Sequence, residues 1–136
     1  LYSLWQVVRR KPLLVTFNGK SFDWPVIRDR TTLHRMSDDL ALAAEDVEAA
    51  YGQPRQHCDV LHHARRRWKG RLPNCRLQTL ERHVCGRRRE GDIPGRLIPE
   101  AYHHFVRTGE TERMRAILHH NALDLLTLLQ LSLALS

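Results

Sequence analysis

The stretch Leu13–Asp23, LLVTFNGKSFD, limits the possible folds of this chain more than any other. Leu13 to Phe17 is apolar apart from Thr16, and Val15, Thr16 and Phe17 favour a pleated backbone. Asn18-Gly19 stops the run, and Ser21-Phe22-Asp23-Trp24-Pro25 reads as the start of a helix. A short apolar run bounded in this way predicts a buried strand, a turn and a helix. In an open α/β sheet, the residues just past a strand's carboxyl end stand where ligands bind. The residue there is Asp23, which reads either as a helix-terminal carboxylate or as a metal ligand. Gly19-Lys20-Ser21 is not a phosphate loop, because the Walker pattern requires glycine where this chain has Leu14.

The rest of the chain supplies elements to surround that strand. Leu1, Leu4, Trp5 and Val8 lie at helical spacing, ended by Lys11-Pro12. A second helix is expected from Ser21 or Asp23 to about Arg35, with Pro25 tolerated in its first turn. Another is expected over Asp38–Tyr51, ended by Gly52-Gln53-Pro54. Gln56–Leu61 (QHCDVL) reads as a second strand carrying Asp59. Helices are then expected over Leu77–Val84, closed by Gly86, over Glu100–Arg107, and from Glu110 to Ser136. The segment between Arg87 and Gly95 holds two glycines and Pro94 and reads as a loop. The expectation is a single α/β domain of 136 residues.

Composition narrows the partners. The formal net charge of +7, mostly from arginine, favours a polyanion over a neutral ligand; a solvated basic face is the alternative. Arg65-Arg66-Arg67-Trp68 sets basic side chains beside an aromatic ring, as a single-strand binding surface would, or forms an exposed face with Trp68 packed inward. Arg87, Arg88 and Arg89 sit in a loop where they could meet phosphates. An anionic membrane surface is disfavoured because neither arginine cluster lies on an obvious amphipathic helix, and no apolar run is long enough to span a bilayer. Cys58, Cys75 and Cys85 are odd in number and form no C-x-x-C pair. That argues for free thiols in a reducing, cytoplasmic setting, with no signal peptide, and against structural zinc. The chain starts without Met and reads as a fragment or processed product.

The last helix holds the second informative carboxylate. From Ala122 to Leu135 it is nearly all leucine and alanine and is expected to be buried on most sides. Asp124 interrupts it, and His120, Asn121 and Thr127 share its side of the cylinder. One reading pairs Asp124 with an arginine and leaves His120 as a satisfied core histidine. The other lets Asp23 and Asp124 bind Mg²⁺ or Mn²⁺ while a histidine acts as general base.

On these residues the chain resembles a known family. Leu14–Asp23 (LVTFNGKSFD) is similar to the second motif of the DEDD, ribonuclease H-like 3′–5′ exonucleases, and His119–Asp124 (HHNALD) to their third. The segments CDVLHHARRRWKGRLPNCRLQTLERHVCG and RRREGDIPGRLIPEAYHHFVRTGE point more closely to the YprB-like predicted exonucleases. The resemblance implies a ribonuclease H-like mixed sheet flanked by helices and metal-dependent hydrolysis of phosphodiester bonds in DNA or RNA, at single strands or 3′ ends. It implies Asp23 and Asp124 as metal ligands of a two-metal Mg²⁺ or Mn²⁺ site, and His119 or His120 as general base. Asn18 and Gly19 would border the terminal nucleotide, with Arg65–Arg67, Trp68 and Arg87–Arg89 along the strand behind it. The family's first motif, D-x-E on an opening strand, is not found in this sequence, so the first strands of the sheet are expected to be missing and activity incomplete. A non-catalytic nucleic-acid-binding module on the same fold is the alternative.

Overall fold

The structure, a computed structural model, describes residues 1–8, 10–34 and 56–136. The helix expected over Asp38–Tyr51 lies outside the described residues. The chain divides into two compact units, Leu1–Arg67 and Trp68–Ser136.

The first unit is built on two parallel strands, β1 (Leu14–Thr16) and β2 (His57–Asp59), in the register Leu14–His57, Val15–Cys58 and Thr16–Asp59. Parallel pairing requires a crossover, and helix α2 (Asp23–Leu33) lies within it. Helix α1 (Tyr2–Val8) precedes β1, and α3 (Val60–Trp68) follows β2 directly. Trp5 and Trp24 are buried and meet edge to face, with ring centroids 5.6 Å apart. Trp5 Nε1 donates to Thr31 Oγ1 at 2.9 Å, so the indole brings its polar atom into the core with a partner.

Two sequence expectations need correction here. Strand β1 is only half-buried, because among the described residues it has one neighbouring strand. Val60 and Leu61, expected to continue β2, open α3 instead, since the Asp59 carboxylate accepts the Leu61 N–H at 3.2 Å and caps the helix.

The second unit is helical: α4 (Leu77–Val84), a 3₁₀ turn at Gly95–Leu97, α5 (Ile98–Thr108) and α6 (Thr111–Leu135). Pro99 sits in the first turn of α5, where its missing N–H costs no helical bond, and Gly109 ends the helix with φ 75°. Both α4 and α5 pack on α6 through a core that includes Leu80, Ala101, Ile117 and Leu131. Helix α6 is not buried on most sides, as its leucine content suggested. Leu118, Leu125, Leu126, Leu129 and Leu133 are exposed, whereas His120 and Thr127 are buried. Of the polar stripe, His120, Thr127 and part of Asp124 face inward, where charged partners from other segments of the same unit meet them, whereas Asn121 is exposed.

Candidate active site

In the first unit, the strand–turn–helix passage is clamped by one carboxylate. Asp59, 2% exposed, accepts the backbone N–H of Asn18 through Oδ1 at 2.8 Å and that of Lys20 through Oδ2 at 3.1 Å. Asn18 is the one non-glycine residue with positive φ (64°) among the described residues, a conformation asparagine tolerates better than most. A Cβ on Gly19 would lie 2.4 Å from Thr16 Cβ, so only glycine fits the return of the chain over β1. The turn delivers Asp23 to the first residue of α2, exposed and with no hydrogen-bond or ion-pair partner among the described residues. A carboxylate there is favoured by the helix dipole.

Beneath the turn, His57 Nε2 pairs with Thr16 Oγ1 at 2.8 Å while Nδ1 is buried without a partner. Burial, helped by the nearby Lys20 charge, holds the His57 pKa below the usual histidine range against the pull of Asp59. Arg65, Arg66 and Arg67 are exposed on α3, Arg66 opposite buried Val60, Leu61 and Ala64 and the other two on the flanks of that side, and Trp68 is half-buried. The Arg65–Arg67 cluster therefore does lie on an amphipathic helix, contrary to expectation, although the apolar face is already consumed by the fold.

In the second unit, the inner stripe of α6 meets a charge cluster centred on Arg89. Its side chain is 7% exposed and reaches Glu81 Oε2 through Nε at 2.6 Å, Asp92 Oδ2 through Nη1 at 3.1 Å and Asp124 Oδ1 through Nη2 at 2.7 Å. Desolvation opposes the charge on this guanidinium, but its bonds to Asp124, Glu81 and Asp92 outweigh that and push its pKa up. His120 Nδ1 lies 2.8 Å from Asp92 Oδ2, and its Nε2 lies 3.5 Å from Asp124 Oδ2. Asp124 itself is 35% exposed in its side chain. His119, the alternative base, is exposed, as is Asn121.

The three arginines grouped by sequence have different surroundings. Arg89 is spent within the cluster. Arg87 faces Glu81 Oε1 at 3.0 Å without hydrogen-bond alignment and bonds Gln130 and, at 3.4 Å, Thr127. Arg88 is exposed and unpaired among the described residues. It lines a cleft of about 680 Å³ between α4 and the loop, together with Arg82, His83, Asp92 and Ile93.

Sequence reasoning missed Asp59 as a clamp, Glu81 and Asp92 as anchors of Arg89, and Arg82 in the cleft. Glu81 left a faint signal, as a carboxylate on the apolar side of a short helix; Asp92 left none. Among the described residues, no group of three or more His, Cys, Asp or Glu side chains is arranged to hold a metal ion. Cys58, Cys75 and Cys85 are free thiols, and no helix is long and apolar enough to cross a membrane.

Comparison with known proteins agrees with the architecture. The family model described as RNase_H superfamily matches residues 1–136. Uncharacterized protein YprB of Bacillus subtilis (strain 168) is 42% identical over 123 residues, which is 90% of this chain and 27% of that protein. The chain thus spans about a quarter of the length of this relative. No solved structure matches. The α/β architecture, the whole-chain match and this similarity lead to one conclusion: the chain belongs to the ribonuclease H superfamily and is YprB-like.

Proposed function

We propose that this domain serves metal-dependent, 3′–5′ exonuclease-type hydrolysis of phosphodiester bonds in single-stranded DNA or RNA, in the cytoplasm. The observation that carries the reading is the juxtaposition of His120 and Asp124 on the inner side of α6, with Nε2 and Oδ2 3.5 Å apart. Superfamily membership supports it.

Asp23 in the first unit and Asp124 in the second are each proposed as a ligand for Mg²⁺ or Mn²⁺. The donors suit a hard cation: Asp23 is an exposed, unpartnered carboxylate, and Asp124 keeps Oδ2 outside its contact with Arg89. One or two carboxylates suffice for Mg²⁺, because water and substrate phosphates complete its shell. When bound, the metal supplies charge neutralisation at the phosphate and acidifies water. His120 takes the proton of the attacking water. Arg88 and Arg82 bind phosphates along the cleft, and Arg65–Arg67 with Trp68 offer a further basic surface. Asn18 and Gly19, held rigid by Asp59, border the terminal nucleotide.

One observation favours a second reading, a non-catalytic nucleic-acid-binding module: Arg89 already neutralises Asp124 at 2.7 Å. The deciding experiment is a Mn²⁺-dependent assay of the full-length protein on end-labelled single-stranded DNA and RNA, beside Asp124→Asn. Hydrolysis lost in the variant supports the nuclease. Binding at low salt without hydrolysis in either protein supports the module.

A further inference from the structure

We propose that Asp92 is a positioning residue that fixes the tautomer and ring orientation of His120, and that this makes His120, not His119, the competent base. The inference rests on the nuclease reading above and deepens it.

Asp92 stands on the segment between α4 and the 3₁₀ turn, remote in sequence from α6, and its side chain is 7% exposed. Both donors it receives converge on Oδ2: His120 Nδ1 at 2.8 Å and Arg89 Nη1 at 3.1 Å. A carboxylate accepts and does not donate, so His120 Nδ1 carries a proton towards Asp92, and in the neutral imidazole the lone pair then lies on Nε2. Nε2 is the nitrogen turned to Asp124, and at 3.5 Å it is not consumed by a strong hydrogen bond. Turning the ring over would take the Nδ1 donor from a buried carboxylate and leave it Arg89 alone.

Arg89 makes the arrangement rigid. It bonds Asp92 and Asp124 at once, so the acceptor behind the imidazole and the carboxylate in front of it are held by a single planar group. Its Nε is anchored to Glu81, 2% exposed in its side chain, at 2.6 Å. His119 has none of this: it is exposed, and no partner among the described residues fixes either of its ring nitrogens. A histidine backed by a carboxylate keeps one ring nitrogen available in one direction, as such partners do for metal-bound histidines, where their loss costs about 10–100-fold in activity or affinity.

The test has two readouts. In ¹⁵N-histidine-labelled chain in mildly alkaline buffer, long-range ¹H–¹⁵N correlation should show His120 as the Nδ1–H tautomer, its signal assigned by loss in His120→Gln. Asp92→Ala should release it to the Nε2–H form that imidazole prefers in water. In the full-length protein, Asp92→Asn, which preserves shape, should lower kcat about 10–100-fold and leave KM unchanged, while His119→Gln keeps wild-type kcat. An Nε2–H tautomer in the wild type, an Asp92→Asn loss confined to KM, or a loss of kcat in His119→Gln that His120→Gln does not share would overturn the proposal. Failure of the nuclease reading looks different: Asp124→Asn would retain hydrolysis, or the wild type would have none, while the tautomer measurement still decides the Asp92–His120 bond.

Discussion

Arg89 and Asp124 are joined by a 2.7 Å bond between Nη2 and Oδ1 that ties the loop after α4 to the centre of α6. The same guanidinium also bonds Glu81 and Asp92, so three carboxylates converge on one cation. Replacing Arg89 with Met leaves buried Glu81 with only the unaligned Arg87 contact and buried Asp92 with only His120. The destabilisation should be about 3–5 kcal/mol, as for other broken buried pairs. Chemical denaturation should show it in the second unit, whereas exposed Arg88→Ala should shift stability by no more than about 0.5 kcal/mol.

Gly19→Ala should disturb the first unit although it adds one methyl group. The new Cβ would lie 2.4 Å from Thr16 Cβ, with Thr16 on β1 and unable to retreat without breaking the register with Asp59. A cost of about 1–3 kcal/mol is expected from overpacking. Faster amide exchange at Asn18 and Lys20, whose N–H groups bond Asp59, would locate the damage.

His57 should make the first unit acid-sensitive. Its folded pKa lies below the ordinary value, so the unfolded chain binds the proton more readily. The stability it contributes is therefore complete above about pH 6.5 and declines as pH falls through the window between the unfolded and folded values. His57→Gln should flatten the dependence of Tm on pH in that window relative to wild type. An unchanged slope would assign the acid sensitivity to other histidines.

Arg82 and Arg88 should carry part of the salt dependence of nucleic-acid binding. Neither is paired among the described residues, and both line the cleft beside α4. Removing one cation that meets a phosphate should reduce the slope of log K against log salt by about 0.7 for a single strand. Fluorescence anisotropy of labelled single strands with Arg82→Ala/Arg88→Ala should show a slope lower by about 1.4. Arg107→Ala, an exposed cation on α5 away from the cleft, should leave it unchanged.

The chain's own punctuation determined much of the fold. Asn18-Gly19, Gly86, Pro99 and Gly109 restrict backbone angles wherever they occur, so β1, α2, α4, α5 and α6 were legible to within a few residues. Asp23 after a strand and Asp124 within an apolar helix were also visible, because a carboxylate in such a position demands an explanation. What followed from partners distant in sequence was not legible. Val60-Leu61 has no period to separate strand from helix, and the Asp59 cap decided it. The leucines of α6 suggested burial all round, but the helix turned His120 and Thr127 inward because Arg87, Arg89 and Asp92 meet that side. Arg87, Arg88 and Arg89 look alike in sequence, and tertiary structure alone separated the buried cation from the exposed one. Local sequence sets backbone conformation, whereas the state of a charge depends on which partners the folded chain brings within about 4 Å of it.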